Sequence, residues 1–296
     1  MAQAAPEGSG TTTLPAVPGT SAGSPPAEAS PSFWAVIREN TVAFVVFWGD
    51  IADFTARIVR WMATRRPYRG TLLPNFYQIG VRSVPVIGTT GLFIGMVLAV
   101  QTYAEFTRFP GMKSWLGAAI NASIIRELGP VLAATMLAGR VGSALAAELG
   151  TMRITEQIDA LWCLGVNPIH YLVVPRFLAC VVLIPLLTVL ADFMGVLGGA
   201  AISTQFFGIE SFEYWQVSQE KIGIWDIFCG LMKSTVFGAA IATISCHRGF
   251  HSTGGAEGVG RAATDAFVLS FVAILVLDFF LGLFFTGLSA ILWPRG

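Results

Sequence analysis

The sequence predicts an all-α integral membrane protein in which one interfacial helix is followed by about five transmembrane helices. Composition is the first reason: 54% of the 296 residues are hydrophobic and only 12% are charged, whereas a soluble domain carries roughly 25% charged residues. The second is a series of long apolar stretches. The clearest is uncharged from Ser83 to Ala104, which is enough to cross a bilayer. The third is the presence of 32 glycines, because small residues let membrane helices approach closely.

The N-terminal segment differs in composition from the rest of the chain. Residues 1–31 contain no Lys or Arg and are rich in Ala, Pro, Gly, Ser and Thr. A secretory signal has a basic stretch ahead of its apolar core, so the pattern does not indicate one. Because the segment holds too few apolar residues to offset the entropy of ordering, we expect a disordered tail.

Residues 32–70 are predicted to form an interfacial, or elbow, helix. Apolar residues recur there at helical spacing from Trp34 to Trp61. Charged side chains interrupt this apolar stripe, among them Arg38, Asp50, Asp53, Arg57 and Arg60. A charged helix with Trp anchors suits the membrane interface better than a full crossing. A soluble linker helix is the alternative.

Residues 71–296 are predicted to form the transmembrane domain. After the first span, four more are expected at about 117–147, 171–205, 224–247 and 263–292. We expect Pro130 to kink the second of these. Polar segments separate the spans, namely 148–170 with a short helix inside it, 206–223, and a glycine-rich loop at 249–260.

The distribution of Lys and Arg predicts the orientation of the chain. If the N-terminus is cytoplasmic, ten Lys and Arg residues in and beside the connections fall on the cytoplasmic side and four on the opposite side. Basic residues favour the cytoplasmic side of a membrane. Five crossings then place the C-terminus outside.

Ionisable residues occur inside four of the five predicted spans. The second span carries Arg126 and Glu127, the third Asp192, the fourth Lys233 and the fifth Asp278. At bilayer depth such side chains cost a few kcal/mol each, so they face a cavity or a partner. Helix rise places Arg126, Glu127 and Lys233 in the outer half of the membrane.

Two interpretations of these charges remain open. In the first, they line an outward-facing cavity in which Lys233 and Arg126 meet the phosphate of an anionic headgroup and apolar walls take the acyl chains. In the second, the charges pair with each other and hold the helices together. We favour the first for Arg126, Glu127 and Lys233, given the resemblance described next. We favour the second for Asp192 and Asp278.

The segment from Arg126 to Arg176 carries several long motifs. In order, they are RELGPVL, AGRVGSALAAELGTM, EQIDAL, GVNP and YLVVPR. A second set follows: Lys233-Ser234, Phe237-Gly238, and GGAEGVG at 254–260. Over about residues 35–292, the sequence resembles the MlaE family of lipid-transporting ABC permeases.

The resemblance implies a permease subunit of an inner-membrane ABC transporter. It implies a homodimer that works with two cytoplasmic ABC ATPase subunits and a periplasmic MCE-domain protein. The transported substrate it implies is phospholipid. ATP would act only through the partner ATPase, and the chain itself would hold no catalytic residue and no cofactor. By motif position, Arg126, Glu127 and Lys233 would lie near the lipid path.

The resemblance also assigns a role to the loop after the second span. In the family this loop forms a coupling helix that docks on the ATPase, and it corresponds here to about Thr151–Leu164. The residues expected to serve this contact are Arg153, Thr155, Glu156 and Asp159. We expect Thr155, Glu156 and Asp159 to cap and decorate a short exposed helix.

Several other kinds of site find little support in the sequence. The stretch 230–235 lacks the G-x-x-x-x-G-K spacing of a phosphate-binding loop. His247 and His251 have no visible third ligand, so no metal site is predicted. The four cysteines lie in or beside apolar runs and are interpreted as small buried hydrophobes. The zero net charge gives no indication of a nucleic-acid partner.

Two rival functions remain beside the ABC permease. One is an ion-coupled secondary transporter of an amphiphilic anion, suggested by the charges inside the third, fourth and fifth spans. An odd number of spans and the lack of a visible inverted repeat speak against it. The other is a scaffold that anchors a complex, for which charges inside the membrane would be wasteful.

Overall fold

The computed structural model describes residues 33–64, 69–108 and 115–292. All regular structure in these ranges is helical. Five helical segments are long and apolar enough to cross a membrane. The predicted all-α membrane fold is therefore confirmed. The tail predicted at 1–31 lies outside the described residues.

Eleven α-helices occur in the described ranges. They are α1 Phe33–Thr64, α2 Arg69–Ile79, α3 Val84–Phe106, α4 Leu116–Ser123, α5 Gly129–Leu137, α6 Ser143–Ile154, α7 Gln157–Cys163, α8 Val174–Gln205, α9 Ser211–Lys221, α10 Ile224–Phe250 and α11 Gly255–Leu292. Short irregular turns join some of them: a 3₁₀ turn at Val81–Ser83 and π-helical turns at Ile124–Leu128, Ala138–Gly142 and Ile169–Val173.

The five candidate spans combine these helices. Span 1 is Gly70–Phe106, span 2 Leu116–Ile154, span 3 Ile169–Gln205, span 4 Ile224–Phe250 and span 5 Gly255–Leu292. Spans 1, 2 and 5 are longer than the apolar stretches predict. The helix continues into polar sequence because backbone groups near the bilayer are best satisfied inside a helix. Most of the expected glycine-rich loop and part of the expected polar loop 148–170 are therefore helical.

Close contacts between spans show that successive spans alternate in direction. Span 2 runs parallel to span 4, since Gly142 lies against Ser245 and, further along both helices, Ala146 lies against Gly249. We name the two ends of the bundle by their short helices. The α7 end holds the start of span 1, α7 and the connection between α10 and α11. The α9 end holds the end of span 1, α9 and the start of α10.

The second part of α1 packs against the α7 end. From residue 47 onward, Phe54 and Ile58 are buried in the main core. The ring of Phe54 lies 5.5 Å from that of His247, and Trp61 lies 5.6 Å from His170. The first part, residues 33–46, belongs to a separate compact unit. The interfacial position of α1 remains a prediction.

Glycines hold span 1 tightly against span 3. A Cβ atom on Gly91 would lie 2.5 Å from the Ala191 carbonyl oxygen, and a Cβ on Gly95 would overlap the backbone of Gly195. The GxxxG pattern of span 1 therefore brings two backbones into direct contact, as small residues do in membrane helices.

Span 4 occupies the middle of the bundle. Its Gly230 packs on the Ile125 carbonyl oxygen and its Gly238 on that of Cys180. Phe237 and Ile241 are fully buried there. Three of the cysteines are buried, as the sequence suggests, whereas Cys163 is exposed because it ends the surface helix α7.

A buried polar cluster fixes α9 on α4. The Tyr214 hydroxyl donates to Asn121 Oδ1 at 3.0 Å, and Asn121 Nδ2 donates to Ser218 Oγ at 3.0 Å. All three side chains are buried, so their polar groups satisfy one another. Burial raises the pKa of Tyr214 to about 12. The expected polar loop after span 3 is thus an anchored helix.

The contact between spans 1 and 3 predicts an unequal effect of two glycine substitutions. Gly95→Ala should destabilise the protein by about 1–3 kcal/mol, because overpacking forces the helices apart. Gly287→Ala, where a new Cβ meets nothing within 4 Å, should leave stability unchanged or slightly raised. Thermal melting of the detergent-purified variants measures both. Equal melting temperatures would contradict the packing described here.

Candidate functional site

Lys233 lies at the centre of an ionic cluster formed by three spans. It projects from α10 and is only 1% exposed. Its ammonium group pairs with Glu127 of span 2 and, at 3.0 Å, with Asp278 Oδ1 of span 5. Gly282, one turn after Asp278, also faces the ammonium group. Each charge thus has a partner, which offsets the cost of removing it from water.

A second ion pair lies toward the α9 end, where α10 begins. Arg126 Nε is 2.8 Å from Asp226 Oδ1, and its Nη2 donates to Oδ2 at 3.0 Å. This two-point contact is the strong geometry for arginine and a carboxylate. Asp226 also accepts from the backbone N–H of Gly223 at 2.9 Å. Asp226 was not predicted as a site residue, although its place in the first turn of an apolar helix is a usable signal.

A π-helical turn presents the neighbouring residues Arg126 and Glu127 to different partners. The turn covers Ile124–Leu128 and ends just before Pro130, whose nitrogen has no hydrogen to donate. The irregularity expected at Pro130 therefore takes the form of a π-helical turn, a feature frequent at functional sites.

The two networks differ in how accessible their members are. The side chains of Arg126 and Glu127 are 50% and 54% exposed, whereas that of Lys233 is 2% exposed. That Lys233 meets a headgroup directly stays a prediction, although two carboxylates enclose its ammonium group in this structure. Its partners enclose it because its level on span 4 faces carboxylates on spans 2 and 5. Arg126 is the accessible cation of the group.

Of Asp192 and Asp278, which were both predicted to pair with other charges, only Asp278 does so. Asp278 pairs with Lys233, as the second interpretation expects. Asp192 Oδ1 is buried without a hydrogen-bond partner among the described residues. Asp192 fills the space beside Gly129, where any Cβ would overlap its carboxyl group. Its side chain thus meets the π-helical turn of span 2 rather than a cation.

An extended apolar surface adjoins the Lys233 cluster. Within span 5 the most apolar window is only 11% buried. Four large side chains near Asp278 are about 60% exposed: Phe279, Phe280, Leu283 and Phe284. Polar groups of the cluster therefore lie beside a wall suited to acyl chains or to another helix.

Comparison with known proteins decides the family. The family model described as "Permease MlaE" matches residues 72–284. The chain belongs to the MlaE permease family. The predicted resemblance is thereby confirmed, and the residues of the cluster lie within the matched region.

Similar proteins of this family occur in bacteria and in a plant. A Synechocystis protein named "Probable ABC transporter permease protein" is 43% identical over 79% of this chain and 89% of its own length. The Haemophilus influenzae protein named "Intermembrane phospholipid transport system permease protein MlaE" is 37% identical over 71% of this chain and 80% of its own. The Arabidopsis thaliana protein TRIGALACTOSYLDIACYLGLYCEROL 1, chloroplastic, is 39% identical over 77% of this chain and 65% of its own length.

The segment Thr151–Leu164, predicted to couple to an ATPase, forms an exposed corner at the α7 end. Arg153 Nη1 pairs with Asp159 Oδ1 at 2.6 Å across the turn between α6 and α7. Thr155 does not cap α7 as expected. Its hydroxyl donates back to the Thr151 carbonyl oxygen at 2.8 Å, because Thr155 ends α6. Glu156 precedes α7 with φ of 59° and makes no side-chain cap.

Two apolar side chains complete this corner. Trp162 is 54% exposed and Leu164 is 76% exposed, at the C-terminal end of α7. Neither residue was among those predicted to make the contact with an ATPase. Exposed apolar groups rimmed by charges are typical of protein contact surfaces.

The enclosure of Lys233 predicts its contribution to stability. Lys233→Met should destabilise the permease by about 3 kcal/mol, because two carboxylates lose their partner near bilayer depth. Adding Asp278→Asn should recover part of that loss. The exposed pair of Arg57 and Asp53 is the control, and Arg57→Met should cost less than about 1 kcal/mol. Melting curves in detergent measure the three variant proteins. A Lys233→Met protein as stable as the parent would refute a stabilising role for the Lys233 ion pairs.

Proposed function

We propose that the chain is the membrane subunit of an ABC transporter that moves phospholipid. The observation that carries the proposal is the paired but accessible charge at Arg126 and Glu127 beside the apolar wall of span 5. An amphiphile with a charged headgroup and acyl chains needs both kinds of surface within one molecular length. Ionisable residues inside membrane spans are costly to insert and commonly mark a substrate or ion pathway.

Arg126 supplies the headgroup contact in this proposal. Its guanidinium is held by Asp226 along one edge, which leaves N–H groups on the other edge for a phosphate oxygen. Lys233 acts behind it, by neutralising and positioning Glu127. The name of the Haemophilus relative, which refers to phospholipid transport, supports the substrate class.

The working unit in this proposal is a homodimer. Span 5 offers a long apolar face of which little is covered by the rest of the chain. A second copy that covers part of this face would leave a lipid cavity near the symmetry axis, lined by spans 1, 2 and 5. Isologous dimers of this kind are the commonest oligomers.

Two cytoplasmic ATPase subunits would drive transport through the corner around α7. Closure of the ATPases would press on the corner, change the tilt of span 2 and collapse the cavity. Lipid would then pass to or from a periplasmic MCE-domain partner. This places α7 and the N-terminus on the cytoplasmic side of the inner membrane, in line with the distribution of Lys and Arg.

An ion-coupled secondary transporter of an amphiphilic anion is the second candidate. Asp192, a buried carboxyl group without a hydrogen-bond partner among the described residues, favours it, because such groups serve proton relays. The two candidates differ in whether transport in vesicles requires the ATPase partner and ATP. Transport driven by a proton gradient alone would favour the second.

Removal of the accessible cation should reduce bound lipid. Arg126→Ala should lower the phospholipid that copurifies in mild detergent several-fold, because the phosphate loses its charge-assisted contact. Arg108→Ala removes an exposed arginine that pairs with Glu105 at the same end and should change nothing. Mass spectrometry of the bound lipid, with the ATPase subunit quantified in the same sample, provides the measurement. Equal lipid in both variants would contradict the proposed path.

Charge reversal at the corner should separate ATP hydrolysis from transport. Asp159→Lys replaces the Arg153 ion pair by repulsion and should lower lipid transport at least tenfold while ATP hydrolysis persists. Glu105→Lys, the same change in an exposed pair at the α9 end, serves as control. Transport and hydrolysis would be measured together in vesicles that contain the complex. Normal transport by Asp159→Lys would overturn the coupling role of the corner.

A further inference from the structure

Two arginines converge on a small cavity far from the Lys233 cluster. The cavity has a volume of about 150 Å³ and lies between spans 1 and 2. Arg82 of span 1 and Arg140 of span 2 line it, together with Gln78 and small or apolar side chains. A volume of this size holds several water molecules, and it is sufficient for one phosphate group.

Neither arginine has a carboxylate partner among the described residues. Arg140 donates from Nη1 to Ser83 Oγ at 2.6 Å, and Arg82 is exposed and makes no polar contact with a described residue. This contrasts with Arg126 and Lys233, which are both paired. Arginines without a carboxylate beside a cavity are suited to an anionic ligand with planar, bidentate acceptors, above all a phosphate.

A π-helical turn and two hydrogen bonds fix the position of the Arg140 side chain. Arg140 lies in the π-helical turn Ala138–Gly142, and its side chain is half-buried. Ser83, which receives its hydrogen bond, is fully buried and itself donates to the Ile79 carbonyl oxygen at 2.6 Å. A chain of two hydrogen bonds thus fixes one guanidinium edge and leaves the others directed at the cavity.

A mainly apolar strip, interrupted by Thr89 and Thr90 and most exposed at Phe93 and Val97, leads away from this pair along span 1. Val86, Phe93 and Val97 lie on the same helix face as Arg82 by their spacing, and Phe93 and Val97 are 63% and 54% exposed. A cationic site at one end of an apolar strip matches an anionic lipid that lies parallel to the span.

The two cationic sites lie at different depths. Arg140 follows Arg126 on span 2 by about 21 Å at the helical rise per residue. That distance is most of the roughly 30 Å thickness of the hydrocarbon layer. A headgroup at Arg82 and Arg140 would therefore sit near the leaflet at the α7 end, and one at Arg126 nearer the opposite leaflet.

We propose that Arg82 and Arg140 form a second phospholipid headgroup site, where the phosphate of a lipid from the leaflet at the α7 end is held before or after it crosses the bundle. This inference rests on the proposed lipid transport and adds a second binding site to the proposed lipid path. The phosphate accepts from both guanidinium groups, and the acyl chains lie along the strip of Val86, Phe93 and Val97.

Photocrosslinking from two positions tests the site. A benzoylphenylalanine in place of Gln78, which is exposed and lines the cavity, reports the site at the α7 end. The same residue in place of Leu275, one turn before Asp278 and 46% exposed, reports the Lys233 cluster. The full complex is reconstituted in vesicles of phosphatidylethanolamine and phosphatidylglycerol with ³²P in the phosphate. Lipid captured on the chain is counted after irradiation.

We expect capture at both positions. Arg82→Gln should lower capture at position 78 at least fivefold and leave capture at position 275 nearly unchanged, whereas Arg82→Lys should retain most of the signal. Arg108→Gln, an exposed arginine at the α9 end, should lower neither. Inorganic phosphate at millimolar concentration should not compete if the ligand is a lipid.

Distinct outcomes separate the two proposals. Capture at 275 but none at 78, or capture at 78 that Arg82→Gln leaves unchanged, would overturn the second site and keep the lipid path. Competition by inorganic phosphate would assign the cavity to a free anion and also overturn it. Capture at neither position would remove the lipid-transport proposal itself.

Discussion

The ammonium group of Lys233 determines how three spans of this permease meet. It is almost completely enclosed by the protein, so its charge is tolerable only with carboxylates in contact. Glu127 and Asp278 supply them from spans 2 and 5. Spans 2, 4 and 5 can then slide relative to one another only by breaking an ion pair of the buried Lys233 ammonium group. The neighbouring pair of Arg126 and Asp226 adds a second fixed point on the same two helices, spans 2 and 4.

Close backbone contact makes this arrangement possible. Span 4 reaches spans 2 and 3 through glycines, with Gly230 on the Ile125 carbonyl oxygen and Gly238 on that of Cys180. Between membrane helices there is little hydrophobic driving force, so packing of small residues and polar contacts supply the stability. The ionic cluster and the glycine contacts therefore depend on each other. A larger side chain at Gly230 would move Lys233 away from Glu127.

The π-helical turns place the cations where straight helices would not. One turn holds Arg126 and Glu127, and another holds Arg140. Both lie on span 2 and are about four helical turns apart, and each carries an arginine that faces a polar site. Span 2 continues into the exposed corner at α7, so a force applied there would reach both turns along one helix. In the proposed transport cycle, this connects the ATPase contact to the lipid contacts.

The sequence by itself determined the class of the protein, its five spans and its family. Hydrophobic stretches are local properties, and a helix that must satisfy its own backbone groups in lipid follows them directly. The long motifs between Arg126 and Arg176 likewise need no spatial information. The ends of the spans were predicted less accurately, as for the start of span 5 at Gly255, because helices continue into polar sequence where no local signal stops them.

Only the tertiary structure decided which charges meet. Glu127 pairs with Lys233 while its neighbour Arg126 pairs with Asp226, a choice set by the π-helical turn and by the offset between spans 2 and 4. Asp192 contacts Gly129 and no cation, although its sequence environment resembles that of Asp278. The partner of a charge depends on the relative height and rotation of packed helices, and these follow from the whole set of contacts rather than from any one segment.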